Sequence, residues 1–140
     1  MIPPTTRVLI VDDMQTIRDM VKTNLKNMGI IKVYEAENGE MGLRIMDRLA
    51  NDETPVDYII SDWNMPVMKG IDFLKRIRSN EKYANLPFVM LTTESEKSLV
   101  TEAIIGGVSQ YIIKPFSFKI FQDKIIAGWL KHYPQQPSPQ

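Results

Sequence analysis

The apolar residues of this chain follow two spacings that alternate along its length. Short runs rich in apolar residues are typical of strands that are buried on both faces, as in a parallel sheet. Such runs occupy residues 8–11, 58–60, 87–91 and 111–113, and residues 31–36 are predicted as a further strand. Between the runs, apolar residues recur every three or four positions, which predicts amphipathic helices. The first stripe comprises Met14, Ile17, Val21, Leu25 and Met28, and later helices are predicted around residues 43–49, 71–78, 95–105 and 121–129.

Five strands that alternate with five helices predict an α/β fold with a doubly wound parallel sheet and right-handed crossovers. The folded domain is predicted over residues 7–132, after an N-terminal extension at residues 1–6. Residues 133–140 form a tail rich in Pro and Gln that is predicted to be disordered. In such sheets ligands bind outside the carboxyl ends of the strands, so functional residues are expected directly after strands.

Composition narrows the classes of function. The chain has 140 residues, with 17 Lys plus Arg against 17 Asp plus Glu, so no basic excess points to nucleic acid or an anionic membrane. There is no cysteine, which excludes disulfides, thiol chemistry and zinc-thiolate sites. No apolar run approaches membrane-spanning length and no secretory signal is evident, so a soluble cytoplasmic protein is expected.

Polar residues follow four of the predicted strands. They are Asp12 and Asp13 after the first strand, Asp62 after the third, Thr92 after the fourth and Lys114 after the fifth. Crowded carboxylates raise one another's pKa unless a cation lies among them, and a hard divalent ion such as Mg²⁺ suits oxygen ligands. A lysine and a hydroxyl are the groups that phosphoryl oxygens need. Alone, the acidic residues and Thr92 fit a turn or a helix cap and Lys114 a solvated charge, but together they predict phosphoryl transfer to a carboxylate.

These residues lie in motifs that resemble the receiver domains of two-component response regulators. The motifs are Val11-Asp12-Asp13, Asp62, Thr92-Thr93-Glu94 and Lys114-Pro115-Phe116. The stretch Ser61-Asp62-Trp63-Asn64-Met65-Pro66, with Tyr111 further on, is similar to the chemotaxis receivers of the CheY type. The resemblance covers about residues 7–130. The resemblance implies a flavodoxin-like sheet with the strand order 2-1-3-4-5, which is known for receivers of the CheY type.

The resemblance implies a role for each acidic residue. Asp62 would be the phosphoacceptor, and a histidine kinase would be the donor. Mg²⁺ or Mn²⁺ would be bound by Asp13, Asp62 and the backbone carbonyl of Asn64, while Asp12 would act through a metal-bound water. Such a protein is a phosphoacceptor rather than an enzyme, although it would promote its own phosphorylation from small donors and its own dephosphorylation.

The resemblance also implies a switch. Thr92 would move inward to bind the phosphoryl oxygens beside Lys114, and Tyr111 would follow into the space that Thr92 leaves. The peptide bond between Lys114 and Pro115 would be cis. These movements would alter an output face, which is expected to comprise Lys97, Val100, Ile104, Tyr111 and Lys124.

Two positions are expected to set the lifetime of the phosphoryl group. Asn64 and Glu94 would flank the path along which water attacks phosphorylated Asp62. Both side chains are polar and of moderate size, so they would orient a water molecule and give a lifetime of seconds to minutes. Thr93 stands where the family commonly has alanine or glycine, and its extra bulk would slow access.

The expected partners follow from the same resemblance. They are a histidine kinase of the chemotaxis type, a flagellar motor switch protein and, as a third candidate, a dedicated phosphatase, and the domain is expected to be a monomer. Two alternatives stay open. One is a receiver module of a larger regulator with a separate output domain. The other is a phosphatase with an aspartyl nucleophile, although that chemistry commonly uses Asp-x-Asp after the first strand and here Asp12 and Asp13 are adjacent.

Three further features are not expected to have a function of their own. His132 is the sole histidine, has no second ligand at metal-binding spacing and is expected at the surface. A solvated helix face is expected for the basic residues Lys75, Arg76, Arg78 and Lys82. The sequence has no glycine-rich phosphate-binding motif, so nucleotide binding has no support.

Overall fold

The computed structural model describes residues 2–134, which form a five-stranded parallel sheet flanked by helices. The strands are β1 (Arg7–Val11), β2 (Lys32–Ala36), β3 (Tyr58–Ser61), β4 (Phe88–Thr92) and β5 (Gln110–Ile113). The helices are α1 (Gln15–Asn27), α2 (Gly39–Asn51), α3 (Gly70–Ser79), α4 (Lys97–Ile105) and α5 (Phe118–His132). The strand order is β2-β1-β3-β4-β5. The predicted fold class and strand order are both confirmed.

The sheet separates two apolar cores because successive side chains of a strand point to opposite faces. In β1, Leu9 and Val11 face the core that α2, α3 and α4 cover, whereas Val8 and Ile10 face the core that α1 and α5 cover. All four side chains are almost completely buried. Helices on both faces therefore explain why this strand is an unbroken apolar run.

The strand register brings the functional strand ends to one edge. Val11 pairs with Ser61, and the N–H of Asp62 donates to the carbonyl of Val11 at 2.9 Å. On the other side, the N–H of Lys114 donates to the carbonyl of Thr92 at 2.8 Å. Residues that directly follow β1, β3, β4 and β5 consequently lie beside one another.

Two helices begin one or two residues later than predicted. Met14 was expected in the apolar stripe of α1, but it precedes that helix in an extended conformation and is 54% exposed. Its N–H donates to a carboxylate oxygen of Asp12, while its carbonyl accepts the N–H of Arg18, so Met14 is the N-cap of α1. Helix α4 begins at Lys97 instead of Ser95, because the backbone of Glu96 is still extended.

Residues at both ends of the described part of the chain also pack against the domain. Ile2 and Thr6 of the predicted N-terminal extension are buried. Tyr133, the first residue of the predicted tail, packs against Trp129, and its hydroxyl donates to the carbonyl of Asp57. The remainder of that tail, residues 135–140, lies outside the described residues. None of the helices within residues 2–134 has the length and apolar character needed to cross a membrane.

Candidate functional site

Three carboxylates meet at the carboxyl edge of the sheet and are called the acid cluster here: Asp12, Asp13 and Asp62. One carboxylate oxygen from each lies within 4.8 Å of the others. Asp12 and Asp62 are buried, whereas Asp13 is exposed, so the cluster opens to solvent on one side. The structure thus brings together the three acidic residues that were predicted from the strand ends.

Burial makes the carboxylate of Asp12 costly to ionise. Its Oδ1 atom accepts the N–H of Met14 at 2.9 Å, and its Oδ2 atom lies 3.2 Å from Nζ of Lys114. Burial raises the pKa of Asp12 above its usual range, and the charge of Asp62 acts in the same direction. The N–H of Met14 and the ammonium of Lys114 only partly oppose this rise in pKa. An additional cation would therefore stabilise the ionised form.

Lys114 is the one side-chain cation that pairs with a carboxylate of the acid cluster within residues 2–134. Its Nζ atom lies 3.2 Å from Asp12 and 3.5 Å from Asp62, whereas Asp13 has no ion pair among the described side chains. Three carboxylates, two of them paired with one ammonium, form an oxygen-rich, acidic donor set that fits a hard divalent cation such as Mg²⁺ or Mn²⁺. The peptide bond between Lys114 and Pro115 is cis, as the resemblance implied.

The loop after β3 fixes the side chain of Asp62. The N–H of Trp63 donates to Oδ1 at 2.6 Å, while Oδ2 faces Lys114. The loop then returns to the same place, because the N–H of Gly70 donates to the carbonyl of Trp63 at 2.8 Å. A Cβ atom on Gly70 would stand 2.0 Å from the carbonyl oxygen of Asp62, so only glycine permits this close approach.

The backbone of Glu94 links the two predicted switch residues. Thr92 is completely buried at the end of β4, and its Oγ1 atom accepts the N–H of Glu94 at 3.3 Å. The carbonyl of Glu94 accepts the hydroxyl of Tyr111 at 2.7 Å. Burial, together with the charges of Glu94 and Asp62, raises the pKa of Tyr111 to about 12, so this hydroxyl remains a donor at neutral pH.

The two positions expected to control water access lie together. The exposed side chain of Asn64 donates from Nδ2 to Oε1 of Glu94, which joins the loop after β3 to the loop after β4. Thr93 is exposed beside Lys114 and borders a cavity of 360 Å³. The other residues that line this cavity are Ile17, Met20, Pro115 and Phe116.

Four of the five expected output residues line one groove of 460 Å³ on the side of α4, β5 and α5. They are Val100, Ile104, Tyr111 and Lys124, and they are joined by Val108, Ser109, Gln110, Ile113 and Lys131. Ile104 is 62% exposed although it is apolar. Lys97 is exposed at the first residue of α4 and does not line the groove.

Sequence reasoning missed Arg18. This residue lies on α1 outside the predicted apolar stripe, yet it is buried. Its guanidinium donates to the backbone carbonyl of Asp12 and pairs with Glu35 of β2. In the sequence, a buried arginine on the polar side of an amphipathic helix cannot be told from a solvated arginine. Only the contact with its partner on β2, which the sequence does not reveal, distinguishes the two.

A second polar group, called the Arg78 network here, lies at the opposite edge of the sheet and comprises Arg78, Ser109, Lys131 and His132. The sequence predicted a solvated helix face for Arg78, and the structure contradicts this. Its guanidinium donates to the backbone carbonyls of Ala84, Leu86 and Gly107. His132 is also not a plain surface residue, since its Nε2 atom lies 2.7 Å from Oγ of Ser109. Lys131 donates to the carbonyl of Ser109 at 2.6 Å.

Comparison with known protein families identifies the class to which this fold and site belong. The model of the response regulator receiver domain matches residues 8–126. The chain belongs to this family, whose members are phosphoacceptor signalling proteins rather than conventional enzymes.

Similar individual proteins come from bacterial chemotaxis. Chemotaxis protein CheY1 of Helicobacter pylori is 40% identical over 119 residues, which cover 85% of this chain and 93% of that protein. Chemotaxis protein CheY-3 of Vibrio cholerae is 38% identical over 119 residues, covering 85% of this chain and 88% of that protein. The solved structure of the chemotaxis response regulator CheY4 of Vibrio cholerae is 34% identical, with a TM-score of 0.74, and covers 88% of this chain and 98% of that one.

Proposed function

We propose that this chain is a chemotaxis signalling switch that accepts a phosphoryl group on Asp62 from a histidine kinase. The observation that carries the proposal is the position of Asp62, a buried carboxylate 3.5 Å from the ammonium of Lys114. Two further acidic side chains lie within 4.8 Å, which is the arrangement that metal-assisted phosphoryl transfer needs. Similarity to chemotaxis proteins over most of the chain supports the choice of pathway.

The proposed cofactor is Mg²⁺ or Mn²⁺. Asp13, Asp62 and the backbone carbonyl of Asn64 would hold the ion, with Asp12 acting through a bound water molecule. The ion supplies positive charge that offsets the charge of the phosphoryl oxygens and of the carboxylates. An oxygen of the Asp62 carboxylate forms the new bond to phosphorus while the bond between phosphorus and the donor histidine breaks. The ammonium of Lys114 neutralises charge on the transferred group.

Thr92 and Tyr111 would pass the change to the surface. Oγ1 of Thr92 accepts the N–H of Glu94 at 3.3 Å, so an inward turn of Thr92 toward a phosphoryl group on Asp62 would disturb this contact. Tyr111 is tied to the other side of the same residue through the carbonyl of Glu94. A shift of this backbone therefore reaches Tyr111, which lines the groove between α4 and α5.

The proposed target is a flagellar motor switch protein that binds this groove. Val100 and Ile104 give the groove an apolar wall, while Lys124 and Lys131 give it a positive rim. A target shifts the switch only by its difference in affinity for the two states, so it has to bind the phosphorylated form more tightly. Tyr111→Ala should reduce that difference in affinity and leave phosphorylation of Asp62 intact.

Phosphorylation itself is tested with acetyl phosphate and Mg²⁺, followed by intact mass and peptide mapping. The wild type should gain one phosphoryl group on Asp62, and Asp62→Asn should gain none. Asp72→Asn, which alters an exposed carboxylate on α3, is the matched control and should be phosphorylated like the wild type. Phosphorylation of an aspartate in Asp62→Asn would contradict the assignment.

The lifetime of the phosphoryl group is proposed to depend on Asn64 and Glu94. Their side chains are hydrogen-bonded to each other next to Asp62, where water has to approach. After the donor is removed, the wild type should lose the phosphoryl group within seconds to minutes. Asn64→Arg and Glu94→Leu should both slow this decay, whereas decay over many hours in the wild type would show that other groups control water access.

A further inference from the structure

Arg18 is a buried cation that the proposed phosphoryl transfer does not use. Only 8% of its side chain is exposed. Its guanidinium contacts three parts of the domain. Nη1 donates to the backbone carbonyl of Asp12 at 2.6 Å, Nε pairs with Glu35 of β2 at 3.0 Å, and Nη2 donates to Gln15 at 2.7 Å.

The carbonyl of Asp12 belongs to the loop that carries two members of the acid cluster. The backbone of that loop is tied to β2 by the N–H of Asp12, which donates to the carbonyl of Ala36 at 3.0 Å. Within residues 2–134, Arg18 is the only side chain that donates a hydrogen bond to the backbone of Asp12, Asp13 or Met14. Through Glu35, it ties the loop to β2 a second time.

We propose that Arg18 is a positioning residue for the divalent cation, because it holds the loop so that the carboxylates of Asp12 and Asp13 face Asp62. The inference rests on the proposed function in one respect, that Mg²⁺ is the cofactor. A guanidinium repels a metal cation, so Arg18 does not hold the ion by direct attraction. Its pairing with Glu35 offsets that repulsion, and Glu35 also pairs with Lys22 at 3.0 Å.

The two effects of Arg18 on Mg²⁺ binding have opposite signs. Removal of a positive charge near the acid cluster should strengthen binding of Mg²⁺ by Coulomb's law. Loss of a group that orients metal ligands typically weakens binding by about tenfold or more. The direction of the change in the dissociation constant therefore distinguishes positioning from electrostatics.

The experiment is a fluorescence titration with magnesium chloride at constant ionic strength. Trp63 reports on the site because its backbone N–H donates to Asp62. All proteins in the titration carry Trp129→Phe, which makes Trp63 the sole tryptophan. Arg18→Ala should raise the dissociation constant for Mg²⁺ about tenfold. Arg18→Lys should raise it less, because an ammonium can bond the carbonyl of Asp12 but cannot also form the fork to Glu35.

Lys22→Ala is the matched control. Lys22 also pairs with Glu35, so the substitution removes one positive charge at the same carboxylate, but Lys22 does not contact the loop. Its affinity for Mg²⁺ should be unchanged or slightly higher. If Arg18→Ala fails to fold in a parallel urea unfolding experiment, Arg18→Lys decides the question alone. Unchanged or tighter binding in the Arg18 variants, or equal weakening in Lys22→Ala, would overturn the inference. A wild type without any Mg²⁺ response would instead contradict the proposed cofactor, and this inference with it.

Discussion

The two edges of the sheet carry polar clusters of opposite character. At the carboxyl edge, the acid cluster holds three crowded carboxylates, and the ammonium of Lys114 pairs with only two of them. At the opposite edge, where the amino ends of the strands lie (the amino edge), the polar groups of the Arg78 network are hydrogen-bonded. Arg78 alone donates to three backbone carbonyls. Paired polar groups of this kind stabilise a fold, whereas uncompensated charge does not. The comparison indicates that the carboxylates with the fewest matched donors lie at the edge where a cation is proposed to bind.

The protonation of His132 follows from the same pairing. The Oγ atom of Ser109 accepts the N–H of Phe88 at 3.0 Å, so its own proton is available to Nε2 of His132. A neutral ring is needed to accept that proton. Burial lowers the pKa of His132, and the charges of Arg78 and Lys131 lower it further, which favours the neutral ring.

The largest expected effect comes from breaking the amino edge. Arg78→Met keeps the apolar stem but leaves three carbonyls without their donor, so the free energy of unfolding should fall by about 3 kcal/mol. Urea unfolding measures this change. Arg76→Met, on the exposed face of the same helix, is the control and should change stability little. A loss as small as that of the control would show that the network does not stabilise the fold.

The carboxyl edge should respond to a ligand instead. At a Mg²⁺ concentration ten times its dissociation constant, the free energy of unfolding should rise by about 1.4 kcal/mol, because only the folded state presents the acid cluster. Thermal unfolding with and without Mg²⁺ measures the shift. Asp13→Ala should lose this response, whereas Arg78→Met should keep it. Equal responses in both variants would contradict the separation of the two edges.

Removal of one crowded carboxylate should stabilise the protein in the absence of divalent ions. Asp62→Asn relieves repulsion from its two acidic neighbours, and we expect a gain on the order of 1 kcal/mol after the weakened contact with Lys114 is subtracted. Asp57→Asn is the comparison at the amino edge, where the carboxylate accepts the N–H of Arg7 at 2.9 Å. That substitution should give no gain, and a similar gain in both would mean that crowding is not the cause.

The smallest expected effect is the pH dependence of the Arg78 network. Because the pKa of His132 is lowered in the folded state, the unfolded chain takes up the proton first as the pH falls below about 6.5. His132 therefore makes its full contribution to stability above that pH, and the contribution is lost as the pH falls toward the pKa of His132 in the folded protein. His132→Gln should remove this loss, which is below about 1 kcal/mol for a half-buried ring. Urea unfolding at pH 7.5, 6.5 and 5.5 would show it, and identical pH profiles would contradict it.

The sequence by itself determined the order of the elements and the residues of the acid cluster. Apolar spacing reports the local period of strands and helices, and parallel strands bring their carboxyl ends to one edge, so Asp12, Asp62 and Lys114 could be placed together without coordinates. The apolar pattern did not give the exact helix starts, because local hydrogen bonds such as the one from Met14 to Asp12 compete with it.

Only the tertiary structure decided which polar side chains have partners. Arg18 with Glu35, Asn64 with Glu94, and His132 with Ser109 are far apart in sequence, and each contact depends on how two elements are oriented against each other. A polar residue on a helix has the same appearance in sequence whether it faces solvent or a buried acceptor. Its role is settled when packing excludes water and leaves one partner within hydrogen-bonding distance.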